Sequence, residues 1–135
     1  MKVLILKKRK DFLKAAKGVK SVMPSLILQA APFLAKPNKT ECDSFCRLGY
    51  TATKKLGKAH IRNRTKRRMR AAAAQILPLV ALPNIDYVLI GRYNTANVKF
   101  EKLIEDLKNA ILEVNKSFSS VENVKSNEKT YDISD

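Results

Sequence analysis

Lys54-Lys55-Leu56-Gly57-Lys58-Ala59-His60-Ile61-Arg62-Asn63-Arg64-Thr65-Lys66-Arg67-Arg68-Met69-Arg70 carries nine Lys or Arg in seventeen residues and no acid. Such a stretch needs a partner of dense negative charge, and phosphate is the obvious candidate. Arg, Lys, Met and Ala enter a helix at little cost, and neither Gly nor Pro interrupts before Pro78, so a helix is predicted from about Ala59. At about 100° per residue, Ile61, Thr65, Met69, Ala72 and Ile76 fall on one apolar stripe suited to docking on a sheet. Asn63, Lys66, Arg67 and Arg70 gather on the opposite side with Arg64 at its border. Arg62 and Arg68 fall near the edges of the stripe, where long side chains can lie along the surface with their charge in water. One side of this helix can be buried while the other follows a folded phosphate backbone.

The rest of the chain supplies the body for that helix. At 135 residues with 45% hydrophobic residues, it suits one globular domain with a real core. Residues 1–70 hold 20 Lys/Arg against three acids, a net charge of +17, whereas residues 71–135 carry a net of −2. The basic surface therefore belongs to the first half, which points to nucleic acid or an anionic membrane. Membrane is the poorer fit, because no apolar run approaches the ~20 residues of a span and Val3–Leu6 is far shorter than a signal-peptide core. The chain reads as cytoplasmic. Cys42 and Cys46 with His60 lack a fourth good ligand for zinc, so the thiols read as reduced and incidental and no metal site is expected.

Outward from the central helix, Lys7–Lys17 reads as a short basic helix with Phe12, Leu13 and Ala16 on one side and Gly18 as its stop. Phe12 suits a core anchor, and bordered by Arg9, Lys10 and Lys14 it also suits stacking on an unpaired base. Ser25–Ala31 reads as a strand and residues 32–44 as a loop. Phe45–Thr53 alternates as a strand should: Cys46, Leu48, Tyr50 and Ala52 point one way, and Arg47, Gly49, Thr51 and Thr53 the other. The second face is small and polar, either solvated or the floor of a groove. Pro78 and Pro83 are expected to close the central helix. Asp86–Arg92 is apolar enough for an interior strand, and Asn97 is a plausible N-cap for the last helix. In that helix Phe100, Leu103, Ile104, Leu107, Ile111, Val114 and Phe118 recur on one face, and Glu101, Glu105 and Asp106 are expected on its outer side. A single domain over residues 1–118 and a mobile polar tail over 119–135 are predicted.

The central run, an Arg62-Asn63-Arg64 triplet followed by Lys66-Arg67 and Arg70 and preceded by Gly49-Tyr50-Thr51-Ala52-Thr53-Lys54-Lys55, resembles the signature of the bacterial ribonuclease P protein family. The likeness covers about Lys7–Phe118, and Arg47–Arg70 is its diagnostic part. It implies an α/β layer fold, a small four-stranded sheet covered by three helices, with the central helix in a left-handed crossover between parallel strands. Handedness rules alone give the opposite sense. It further implies a non-catalytic protein subunit of a ribonucleoprotein endonuclease, in which the RNA subunit removes the 5′ leader from precursor tRNA with magnesium that it binds mainly itself. By the same resemblance Lys54, Lys55, Arg62, Asn63, Arg64, Lys66, Arg67 and Arg70 would contact the RNA subunit. Phe12, Ile27, Thr51 and Thr53 would line the groove that receives the single-stranded leader. Ala16 and Gln29 stand where many family members carry aromatics, so stacking on the leader would be weaker or placed differently here.

The residues read by themselves agree with a supporting role, since a lone His and few acids in the basic half offer no nucleophile–base pair or paired carboxylates. A general RNA- or ribosome-binding protein without enzymatic association would use the same basic helix and remains the alternative. A protein-only nuclease fits poorly, because metal-dependent phosphodiester cleavage needs clustered acids.

Overall fold

The computed structural model describes residues 2–33 and 45–126, with side chains described as far as Phe118. Its elements are β1 (Lys2–Ile5), α1 (Arg9–Ala16), β2 (Val19–Val22), β3 (Leu26–Pro32), β4 (Phe45–Thr51), a 3-10 turn (Lys54–Leu56), α2 (Ala59–Val80), β5 (Ile85–Gly91) and α3 (Phe100–Ser126). The strands form one five-stranded sheet in the order β1-β4-β5-β3-β2. β1 and β5 run parallel to β4, whereas β3 is antiparallel to both β5 and β2. The fold is α/β with three helices, and the expected four strands become five. The two strands that the sequence does not delineate, β1 and β2, are the four-residue edges of the sheet. At that length one face shows only two side chains, too few for a periodicity, and short Lys-bearing edges resist pairing with other chains.

β5 is the central strand, interior as expected and flanked by β4 and β3. Asn84 takes a φ of 65° just before it, a left-handed conformation that Asn tolerates, and its N–H and C=O bond Phe45 O and Phe33 N at 2.8 and 2.9 Å. The larger core fills one side of the sheet. Leu26, Leu28, Ala30, Cys46, Leu48, Ile85, Tyr87 and Leu89 meet Met69, Ala72, Ala73, Ile76 and Leu77 of α2 and Leu103, Leu107, Ala110, Ile111 and Val114 of α3. Each large apolar side chain so buried contributes about 1.5–3 kcal/mol relative to exposure. Thr65, also on the buried stripe of α2, satisfies its hydroxyl on Ile61 O at 2.9 Å.

The other side of the sheet carries α1 over a smaller cluster of Leu6, Ala15 and Val88, with Phe12 and Ile90 packed against it. The alternation predicted for β4 is observed: Cys46 and Leu48 enter the larger core, while Arg47 and Gly49 face α1. The inward pair on α1 is Phe12 and Ala15. Leu13 is 51% exposed and Ala16 is exposed, so the expected cluster of Phe12, Leu13 and Ala16 is corrected by one position.

Other expectations shift for physical reasons. Pro78 lies inside α2, which runs on to Val80. Pro78 and Ala74 are both exposed, so the Ala74 carbonyl that loses its N–H donor can be hydrated. Lys99 rather than Asn97 immediately precedes α3, its carbonyl accepting the Lys102 and Leu103 N–H groups. Asp106 is buried instead of outward, accepting from Ser25 N at 3.1 Å and Ser25 Oγ at 2.7 Å with Lys102 Nζ 3.2 Å away. α3 continues past Ser119 to Ser126. The expected loop over 34–44, including Cys42, and the end of the tail lie outside the described residues.

Candidate nucleic-acid interface

α2 presents the predicted polar side. Asn63, Arg64, Arg67 and Arg70 are exposed and Lys66 is half-buried, while the Ile61 to Ile76 stripe faces the sheet. Lys54 and Lys55, both exposed, approach it on the 3-10 turn. Gly57, at φ 127°, makes the corner between that turn and α2, a conformation that strains other residues. No ion pair among the described residues engages any of these cations. Among the described residues the face is therefore uncompensated positive charge, with forked donors matched to phosphate oxygens.

The arginines of this helix divide into two kinds. Arg64 donates from Nε to Ala96 O at 2.7 Å, and Arg68 donates to Thr95 O at 2.8 Å and to Val98 O. Together they hold the segment between β5 and α3, which Thr95 ties to the sheet by accepting from Arg92 N and donating to Ser25 O. Burial and the neighbouring charge of Arg64 lower the Arg68 pKa from its ordinary value. Arg68 is thus structural, and Arg64 keeps only part of its guanidinium for a ligand. Arg62 is half-buried, and its Nε has no hydrogen-bond partner among the described residues. Arg70 lies with its guanidinium carbon 5.3 Å from the centroid of the Tyr50 ring, and burial raises the phenol pKa against the lowering effect of Arg70.

On the α1 side, strand register lines up Val22, Ile27, Ile90 and Thr51 as one row across β2, β3, β5 and β4. Val22 is 55% exposed and the other three are half-buried, so the row is an open apolar floor. Phe12, packed like Ile90 against the Leu6–Ala15–Val88 cluster, reaches over Gly49, where a Cβ would fall 2.5 Å from Cζ of its ring. Ile27 and Thr51 therefore share one row, and Phe12 lies on the same side of the sheet over Gly49, two positions along β4 from Thr51. Thr53 is not part of this floor: β4 ends at Thr51, and Thr53 instead caps the 3-10 turn, its carbonyl accepting Leu56 N–H at 3.1 Å. Val22 and Ile90 escaped the sequence reading because one lies on an unrecognised edge strand and the other reads as fully buried.

Among the described residues no three His, Cys, Asp or Glu side chains are grouped to hold a metal. The Ribonuclease P family model matches residues 1–115. The chain belongs to the bacterial ribonuclease P protein family. It is 45% identical over 107 residues to the ribonuclease P protein component of Caulobacter vibrioides, covering 79% of this chain and 68% of that protein. To the component of Paramagnetospirillum magneticum it is 46% identical over 110 residues, covering 81% and 80%. Its fold is similar to the ribonuclease P proteins of Staphylococcus aureus (TM-score 0.62, 23% identity, 83% and 94% of the chains covered) and Thermotoga maritima (TM-score 0.62, 26% identity, 77% and 91% covered). The role of the chain is that of the protein component of ribonuclease P, an endoribonuclease of tRNA processing. In this ribonuclease P protein no helix among the described residues is long and apolar enough to cross a membrane.

Proposed function

We propose that the exposed side of α2 docks the catalytic RNA of ribonuclease P, and that the groove between α1 and the sheet receives the 5′ leader of precursor tRNA. The observation that carries this reading is the uncompensated row of Asn63, Lys66, Arg67 and Arg70 on the far side of a helix fixed to the sheet by its apolar stripe. Lys54 and Lys55 extend the row, Arg64 contributes its terminal nitrogens, and Arg62, whose Nε is buried, can offer only its terminal nitrogens at the edge of the row. Phe12 with Ile27, Ile90 and Thr51 offers an aromatic edge and an apolar floor to unstacked bases. Ala16 is exposed and Gln29 half-buried, so stacking falls mainly on Phe12. Magnesium for hydrolysis belongs to the RNA subunit, which performs the chemistry in the cytoplasm, and the protein adds affinity and discrimination. Family membership also supports the left-handed sense of the β4-α2-β5 crossover.

Two variants test the docking face. Arg67→Ala is expected to weaken binding to the cognate ribonuclease P RNA by about 1–3 kcal/mol, the value of a charged hydrogen-bonded contact, with an unchanged melting midpoint. Arg64→Ala is expected to weaken it comparably and also to loosen the segment before α3, because it releases Ala96 O. Filter binding with both variants at wild-type affinity would remove α2 from the interface.

A further inference from the structure

α2 leaves the β1 end of its sheet face uncovered. Val3 and Ile5 pair in register with Cys46 and Leu48 and so point to the α2 side, yet Ile5 is 69% exposed. Between this edge and the helix opens a cavity of about 140 Å³, lined by Val3, Leu4, Ile5, Leu48, Tyr50 and Arg70. Its walls are aliphatic apart from one aromatic ring and one guanidinium, and those two face each other across 5.3 Å. Among the described residues its lining has no acid, His or Cys, and its one charged group, the Arg70 guanidinium, favours an anionic ligand. It is too small for a folded element and suits one flat ring system.

We propose that this cavity receives a single unpaired nucleobase of the ribonuclease P RNA, held against Tyr50 and the β1 side chains while Arg70 engages the phosphate of the same nucleotide. The inference rests on the docking role of α2 given above and adds a base-binding site to a face otherwise read as phosphate-binding. Continuity and charge both favour this occupant. Arg70 is the last member of the row Asn63, Lys66, Arg67 and Arg70, which runs about 10 Å along the helix axis at 1.5 Å per residue. A backbone following that row reaches the cavity at its end with its charge already matched. Aliphatic walls beside a half-buried tyrosine accept any base, since every base has a π-face, and a guanidinium adds both phosphate binding and stacking. An apolar side chain of a protein partner would fill the same walls but would leave Arg70 without an anion.

The test is chemical footprinting of the ribonuclease P RNA of the same organism, using dimethyl sulfate, kethoxal and carbodiimide to read all four bases, with the wild-type protein and three variants. Ile5→Trp fills the cavity from an exposed position, and Tyr50→Leu removes the ring while keeping an apolar wall. Wild-type protein is expected to protect one unpaired base that both variants leave reactive, each binding the RNA about tenfold more weakly, within the range of one base–aromatic stack. Arg67→Ala is expected to bind more weakly yet to keep the protection at saturating protein. The result is read from whichever cavity variants retain the wild-type melting midpoint. Unchanged footprints and affinity in those variants would overturn the base site while leaving the docking of α2 intact. A wild-type protein that does not bind the RNA would instead overturn the docking reading itself.

Discussion

Arg47 commits its guanidinium inside the protein: Nε and one terminal nitrogen bond the two Asp86 oxygens at 2.6 and 2.7 Å, Asp11 lies 3.5 Å away, and the Phe33 ring sits 4.5 Å beneath it. Asp86 is 1% exposed, and its bond raises the Arg47 pKa. Arg47→Ala would strand a buried carboxylate, and because Arg47 itself keeps 26% exposure the expected loss is about 2–3 kcal/mol, somewhat below that of a fully buried pair. Urea unfolding measures it, and a loss under 0.5 kcal/mol would show that the pair is dispensable. A second residue supplies a pH dependence. Burial pushes the Cys46 thiol from its usual value near 9 up to about 11. The folded state then holds a proton that the unfolded chain releases, so this contribution is complete below pH 9 and declines as pH rises toward 11, by roughly 2 kcal/mol. Tyr50 and Tyr87, also raised by burial, add in the same direction. Unfolding at pH 8 and pH 10.5 should show that decline, with a smaller slope in Cys46→Ala; an equal slope in the variant would clear Cys46 of the effect. At this scale the sequence showed which α2 residues face outward, because that is a local angle. It could not show where Arg47 or Asp106 finds a partner: Asp86 is 39 residues from Arg47, and Ser25 is 81 from Asp106. Pairings at such separation leave no periodic trace.

Elements meet in this fold through glycines that admit a close neighbour. At Gly18 a Cβ would fall 2.2 Å from the Ala30 carbonyl oxygen, at Gly91 2.4 Å from Thr65 Cγ2 of α2, and at Gly49 2.5 Å from the Phe12 ring of α1. The first contact is with backbone and cannot yield, whereas the half-exposed Phe12 ring can turn aside. Gly49→Ala is therefore expected to cost only about 1 kcal/mol of stability while displacing Phe12 from the groove. Phe12→Ala removes the ring altogether, and both variants are expected to narrow the preference of the holoenzyme for leader-bearing over mature tRNA. Equilibrium binding of the two tRNA forms checks this, and full preference in Phe12→Ala would take Phe12 out of the leader site. The long elements α2, α3 and β5 were legible because each repeats its pattern over several turns or a whole buried strand. β1 and β2 were not, since four residues at a sheet edge carry too little alternation. The inward face of α1 was misjudged because its apolar contacts to the sheet come from Phe12 and Ala15, and an alanine gives a weak apolar signal.

For the molecule as a whole, the sheet separates two surfaces. α2 and α3 pack on one side, with the cationic row turned outward, and α1 with the Val22–Ile27–Ile90–Thr51 floor lies on the other. The basic first half of the chain supplies the cationic row and most of the floor, and the near-neutral second half supplies β5, with Ile90 of the floor, and α3. The family was legible in the sequence because its signature lies on contiguous residues, from β4 through the 3-10 turn into α2. The groove proposed for the leader was only partly legible, because four strands build its floor and one of them could not be recognised. The central claim is that this protein assists an RNA catalyst instead of cleaving RNA itself. Precursor-tRNA cleavage at low magnesium by the cognate ribonuclease P RNA, with the protein, without it, and by the protein alone, tests that claim most directly. Cleavage at the mature 5′ end only when both are present is the predicted result; cleavage by the protein alone, or no stimulation of the RNA, would contradict it.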